Sequence, residues 1–318
     1  MAFKRLVIVV SLVISAAALW ALSRYLEQLD LHAVLTEIRH FSAARFAAAL
    51  LLVLGYLLIN ALNEVIVCRA LQQQLGVVRP MNIAAIANSI GHSVGFATLS
   101  AGALRMRMYG ALGIDAKTIA SIVALGTLPF LLGAACLIAI AMIAHPVQAA
   151  VALKLPSWLV VGIAGAAFVA LFGVIGMTPG HRRSFAIGKL CLPLPSSRFL
   201  LIELLVGVAE VILVASVLFL FLPSGTLLSY LNFIGIYLIA IVLGQLSSTP
   251  AGIGVFEAAL LTLLPSVPPQ QLLAAIIGYR VAFEVVPLIL ALGLLLVFEL
   301  SSKSGVLGRL WRSRAAEK

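Results

Sequence analysis

Ser247-Ser248-Thr249-Pro250-Ala251-Gly252-Ile253-Gly254-Val255-Phe256-Glu257 is a polar, helix-breaking stretch set between two apolar runs. Hydrocarbon offers no water to free backbone N–H and C=O groups, so irregular backbone at that depth must be buried in protein or line a cavity. Pro250 removes a donor, while Gly252 and Gly254 widen the backbone's choices. Glu257 opens the next helix, where a carboxylate meets the positive end of the dipole. Transporters commonly build sites near the midplane from such discontinuous helices. Replacing Pro250 and Gly252 by alanine is expected to let one continuous helix form, with no loss of stability.

The rest of the chain is membranous in composition. Of its 318 residues, 63% are hydrophobic and 10% charged, against about 25% charged in soluble domains. The apolar runs are continuous, which excludes a β-barrel. A net charge of +10 invites a nucleic-acid reading. That reading fails because the basic residues sit at segment ends, where they set topology and meet anionic headgroups. Cys68, Cys136 and Cys191 lack CxxC spacing, and the five histidines lack ligand spacing, so no metal or cofactor is expected.

The expected fold is an all-α polytopic membrane protein with about seven to eight membrane helices, each approaching ~20 apolar residues. The segments are Leu6–Leu22, read as an uncleaved signal anchor, then Phe46–Val67, Asn82–Ala101, Thr118–Ala144, Trp158–Met177, Phe199–Leu222, Leu227–Leu246, the short Ala251–Leu264, and Leu272–Phe298. Residues 1–300 read as a single domain and 301–318 as a basic cytoplasmic tail. The positive-inside rule gathers most basic residues on one side only if Asn82–Ala101 is re-entrant, leaving where it entered. Both termini are then cytoplasmic. Two interrupted segments, one in each half, suit an inverted repeat.

Charge inside a membrane is costly, about 2.5–3.5 kcal/mol at a helix centre on insertion scales. Glu210, Glu257, Arg280 and Glu284 all lie in apolar stretches. Arg280 and Glu284 share a helix face, as do Glu203 and Glu210. A structural ion pair joining helices is the plain alternative to a headgroup site. A second cluster holds Asn88, Gly91, His92 and Gly95, then Gly102, Arg105, Arg107 and Tyr109. Small and polar residues there permit close helix contact. Arg105 and Arg107, placed after a glycine turn, read as topology determinants that also suit phosphate capture from the inner leaflet. The candidate substrate residues are therefore Arg105, Arg107, Glu210, Glu257, Arg280 and Glu284. Asn88, His92, Pro250, Gly252 and Gly254 are the candidate cavity residues.

These motifs resemble the membrane region of lysylphosphatidylglycerol synthetase (MprF-type) proteins. The matching positions are Asn88, Gly91, Gly95, Gly102, Arg105, Arg107, Tyr109, Pro250, Gly252, Gly254, Phe256, Glu257, Tyr279, Arg280 and Pro287. Ala101 and Ala251 stand where the family pattern has glycine, and Phe283-Glu284 replace an aromatic pair. The resemblance implies a stand-alone flippase-like fold in a bacterial inner membrane, without the synthetase domain. It would move an anionic or aminoacylated phospholipid between leaflets. A homo-oligomer is compatible with it. The rival readings are a lipid-modifying membrane enzyme and a non-transporting scaffold of a lipid-synthesis complex. No nucleophile–base or metal-ligand constellation favours the enzyme, and no P-loop string supplies nucleotide chemistry.

Overall fold

A computed structural model describes residues 36–94, 97–153, 155–177, 184–187, 190–193, 196–223, 228–247, 249 and 252–301. The expected span Leu6–Leu22, Pro250, Ala251 and the basic tail lie outside them. Helix α1 (Ala43–Ala70) starts at Ser42, whose Oγ accepts from the Arg45 N–H at 3.2 Å, one of the orphan donors of a first turn. Then follow α2 (Val78–Val94) and α3 (Ala97–Gly110), α4 (Ala116–Gly126) and α5 (Leu128–Ala144), α6 (Pro146–Leu153) and α7 (Ser157–Met177). The second half holds α8 (Ser197–Phe221), α9 (Tyr230–Ser247), α10 (Val255–Leu263) and α11 (Pro269–Arg280). A π-helical turn (Val281–Val285) then leads into α12 (Val286–Ser301). Between the halves, β1 (Ser184–Ile187) and β2 (Leu190–Pro193) form an antiparallel ribbon.

Among the described residues, six stretches are long and apolar enough to cross a bilayer: α1, α4 with α5, α7, α8, α9, and α11 through α12. The protein is a polytopic α-helical membrane protein. The segment read as interrupted and re-entrant, Asn82–Ala101, falls on two helices, α2 and α3, that extend beyond it at both ends. Their contacts along α1 fix their direction. Tyr56 reaches His92, Asn60 reaches Asn88, Glu64 reaches Arg105 and Cys68 reaches Tyr109. So α2 runs antiparallel to α1 and α3 runs back parallel to it. The hairpin enters and leaves at the α1 C-terminal end, as the charge argument requires. That end carries the exposed Arg69, Arg79, Arg107, Lys117 and Arg198, which marks it as cytoplasmic.

The second half repeats this order from the opposite side. Helix α9 enters beside the end of α5, where Ser229 bonds His145 at 2.7 Å. It then turns through Gly252 and Gly254, and α10 returns along it. A Cβ built on Gly252 would lie 3.1 Å from the Gly244 Cα, so the arms touch backbone to backbone. In the first half a broken span (α4, α5) follows the hairpin, with Pro129 at the restart. In the second half the span is α11 through α12. There Pro287 has no N–H for the carbonyl four residues back, which accounts for the irregular turn before it.

The core lies where α8 packs on α1, α5 and α11. The tightest approach is α5 on α8. A Cβ on Gly207 would fall on the Pro129 carbonyl, and one on Gly133 would fall on the Gly207–Val208 peptide. Membrane helices gain packing this way when small residues let backbones meet. Gly207→Ala has no flexible side chain to displace. It is expected to lower the thermal melt of the purified protein by more than the ~1–3 kcal/mol typical of overpacking.

Candidate functional site

Two cages of paired charge form at different depths. The inner one is built where α3 returns along α1. Arg105 donates from Nε to Glu64 Oε1 at 2.9 Å and from Nη2 to Glu64 Oε2 at 2.8 Å. This two-point fork is the strong geometry for guanidinium and carboxylate. Arg105 also donates to Asn88 Oδ1 at 3.0 Å, and the Tyr109 hydroxyl donates to Glu64 Oε1 at 3.1 Å. The network continues through the Asn88 amide to Asn60, whose Nδ2 donates to Glu210 Oε1 at 3.0 Å. Arg105 is only 6% exposed. It is thus a buried pairing residue on a helix, not an interfacial one after a glycine turn, since Gly102 lies inside α3. Arg107, two residues on, faces outward and is exposed.

The outer cage is built on the second hairpin. Gly252 and Gly254 take φ of +66° and +87°, a region costly for other L-residues. Their turn delivers Glu257 to the start of α10, where Oε2 accepts the Gly254 N–H at 2.7 Å. The other oxygen, Oε1, accepts from Arg280 Nε at 2.7 Å. Arg280 Nη1 also donates to both oxygens of Glu284, at 2.8 and 2.9 Å. The guanidinium lies 5.6 Å from the Phe256 ring centroid, a cation–π distance. One arginine between two carboxylates leaves a formal charge of −1. The Arg280 side chain is 16% exposed, against 7% for Arg105, so the outer cage is the more open.

An aromatic layer separates the cages. The Phe283 ring lies 5.1 Å from Tyr56, 6.2 Å from His92 and 5.4 Å from Tyr279. The Tyr56 hydroxyl and His92 Nε2 are 3.3 Å apart, and Tyr237 and Tyr279 share a hydroxyl contact at 2.8 Å. Glu64 is eight residues below Tyr56 on α1, and Arg280 is three residues above Phe283. At ~1.5 Å per residue the cages stand on the order of 15 Å apart across this layer.

The structure therefore gathers Glu257, Arg280 and Glu284 with Gly252 and Gly254. It joins Arg105 and Asn88 to Glu210, and sets His92 between. Pro250 lies outside the described residues. Reading the sequence missed Glu64 and Asn60. Their signal was Asn60, Asn63 and Glu64 at helical spacing in an otherwise apolar run. Glu203 is fully buried on α8, and neither of its carboxylate oxygens has a hydrogen-bond partner among the described residues. The expected gain of a continuous helix at Pro250 and Gly252 does not fit this geometry, because α9 and α10 are hairpin arms lying along each other. Gly252→Ala is expected instead to lose about 1–2 kcal/mol from the left-handed backbone alone, read as a lower melting temperature.

Residues 8–293 match the family described as the lysylphosphatidylglycerol synthase TM region. A Synechocystis sp. protein described as uncharacterized protein slr0712 is 32% identical over 257 residues, 80% of each chain. The inner membrane protein YbhN of Escherichia coli is 30% identical over 210 residues, 63% of each chain. A phosphatidylglycerol lysyltransferase of Staphylococcus haemolyticus is 26% identical over 252 residues, which is 78% of this chain but 28% of that protein.

Proposed function

Since the chain belongs to the family of lysylphosphatidylglycerol synthase TM regions, we propose that it moves a phospholipid headgroup between leaflets by way of the two charge cages. It is a multi-pass protein of a bacterial inner membrane, and its family is linked to lipid handling. The observation that carries the reading is the pair of guanidinium–carboxylate cages on opposite sides of one aromatic layer. A stabilising ion pair needs only one site, and replacing buried pairs by apolar residues is often neutral or stabilising. Two such sites, each on a re-entrant hairpin of opposite entry, suit a substrate that passes from one to the other.

The exchange follows from the partners. A phosphate offers the arginine fork the same planar pair of acceptors as a carboxylate. The displaced carboxylate then needs a cation, and an amine on the same headgroup supplies it. A phospholipid bearing both groups, such as an aminoacylated one, replaces both partners at once and leaves the net charge of each cage unchanged. An anionic lipid without the amine fills only the arginine. Arg105 and Arg280 hold the phosphate in turn, Glu64 with Glu210 and Glu257 with Glu284 receive the cationic end, and Phe283 parts from Tyr56 and His92 between them.

The test is a vesicle assay. The purified chain is reconstituted into phosphatidylglycerol vesicles holding a trace of fluorescent phospholipid, and an impermeant reductant bleaches the outer leaflet. The expected result is that inner-leaflet label becomes accessible faster than in protein-free vesicles. Equal rates would reject translocation, and a new lipid species by mass spectrometry would favour an enzyme.

A further inference from the structure

We propose that Glu203 and Asn63 form a proton-binding site, and that a net-cationic headgroup entering the inner cage displaces its proton. Three buried acceptor atoms carry the first part. Glu203 of α8 is 0% exposed and Asn63 of α1 is 4% exposed. Both Glu203 carboxyl oxygens and Asn63 Oδ1 lack a hydrogen-bond partner among the described residues, and Asn63 is the polar side chain beside that carboxyl. An ionised carboxylate only accepts, and so does an amide oxygen. Around them the surface is apolar: Leu200 and Leu204, on either side of Glu203 in α8, are buried with Cys136 of α5 and Ile175 of α7. A bare carboxylate there is very costly. A proton on Glu203 removes the charge and gives Asn63 Oδ1 an O–H donor. No arginine or lysine among the described residues bonds Glu203. Arg105 is taken up by Glu64 and Asn88, and Arg198 is exposed at the start of the helix. A metal cation takes about six oxygen ligands, more than these two side chains offer.

The site is tied to the inner cage through both of its helices. Glu203 lies two turns before Glu210 on one face of α8, and Asn63 directly precedes Glu64 on α1. Glu64 and Glu210 are the acids assigned to the cationic end of the headgroup, so the exchange rests on the translocase reading; the proton site does not. The elements packed on α8 add little else. In α1 the charge is Glu64, held by Arg105; α5 brings the Cys136 thiol, and α7 has no titratable residue. Helices α9 and α11 meet the outer half of α8, where Tyr230 bonds Ile212 and Gly278 lies against Phe221. Arg280 and Glu284 belong to the outer cage. Glu210 is thus the charged group that bears on Glu203. A headgroup with two amines and one phosphate adds one positive charge beside Glu210. That charge stands ~10 Å from Glu203 at ~1.5 Å per residue. With an effective dielectric of about 20 it changes proton affinity roughly tenfold. Added positive charge favours the carboxylate. The O–H bond breaks, its electron pair stays on the Glu203 oxygen, and the proton passes to water at the cytoplasmic start of α8. When the headgroup leaves, the proton returns.

The experiment is infrared spectroscopy of the purified chain in phosphatidylcholine vesicles over a pH series. The expected result is a protonated-carboxyl band at neutral pH that Glu203→Gln removes. The melting temperature should hold in that variant, since Gln has the shape of the neutral acid and its amide also donates. Asn63→Leu should keep the band but move it, because the acid loses its acceptor. Replacing part of the phosphatidylcholine with lysylphosphatidylglycerol, which has two amines and one phosphate, should lower the midpoint for loss of the band by about one pH unit, the tenfold change above. In Arg105→Gln/Glu64→Gln the midpoint should not respond. A band that Glu203→Gln leaves unchanged overturns the site. So does one that appears only when sodium is replaced by choline, which would make the ligand a metal cation. A midpoint that does not move in the wild type overturns the exchange, as does an equal shift in the double variant, which is the effect of surface charge alone. A midpoint shift without transbilayer movement would reject translocation and keep the exchange; movement with a fixed midpoint would do the reverse.

Discussion

Arg105→Gln should destabilise the protein by about 3–5 kcal/mol, because it strands the Glu64 carboxylate in a buried site with its main partner gone. Adding Glu64→Gln removes the stranded charge. The Arg105→Gln/Glu64→Gln protein is therefore expected to recover most of the melting temperature. Gln at both positions keeps hydrogen-bonding capacity toward Asn88 and Tyr109. Lipid movement should not recover with stability, since no guanidinium remains to take a phosphate. Melts of the two single variants, the double variant and the wild type form a cycle whose coupling energy measures the pair. Additive losses would show that Glu64 and Arg105 act independently, and would remove the inner cage.

Arg280→Lys is the second large effect, and its sign is divided. The charge is kept and a cation still faces Glu257 and Glu284, so expression and melting temperature should stay near wild type. An ammonium cannot reach the Glu257 oxygen and both Glu284 oxygens in one plane, nor grip a phosphate through two parallel donors. Losing a bidentate, charge-assisted contact of ~1.5–3 kcal/mol corresponds to a fall in lipid movement of roughly 10- to 150-fold. Full movement by Arg280→Lys in the vesicle assay would take Arg280 out of the substrate's path.

Much of this architecture was legible because the membrane penalises charge and broken backbone so heavily. Gly252 and Gly254 announced a break in the second half, read as a discontinuous helix where the arms in fact fold back on each other, and their positive φ values are what glycine at a turn supplies. Arg280 and Glu284 were readable as a pair from spacing alone. The first hairpin was harder. Asn82–Ala101 showed weak hydropathy with Gly91 and Gly95 inside it, and the charge balance denied it a full crossing, yet nothing local showed that α2 and α3 extend well beyond it on either side. Arg105 was misplaced for the same reason. Beside Arg107 it looked like an interfacial cation, and only the return of α3 along α1 buries it against Glu64. Glu64 itself sits near the end of its span, where a charged side chain ordinarily snorkels to water. Long-range partners such as Asn60 with Glu210, 150 residues apart, leave no trace in local periodicity. The aromatic layer of Tyr56, His92 and Phe283 draws one ring from each of three elements, and no single stretch of sequence displays it.

The most direct measurement is transbilayer movement of a phospholipid bearing both phosphate and amine, compared between wild type and Arg105→Gln/Glu64→Gln at equal folded protein. Both are reconstituted in the same vesicles, and the melts confirm that each is folded at the assay temperature. The two-cage account predicts rapid movement by the wild type and a rate near that of protein-free vesicles for the double variant. Equal movement by both proteins would contradict it, because a headgroup that crosses without the Arg105 fork has no use for the inner cage.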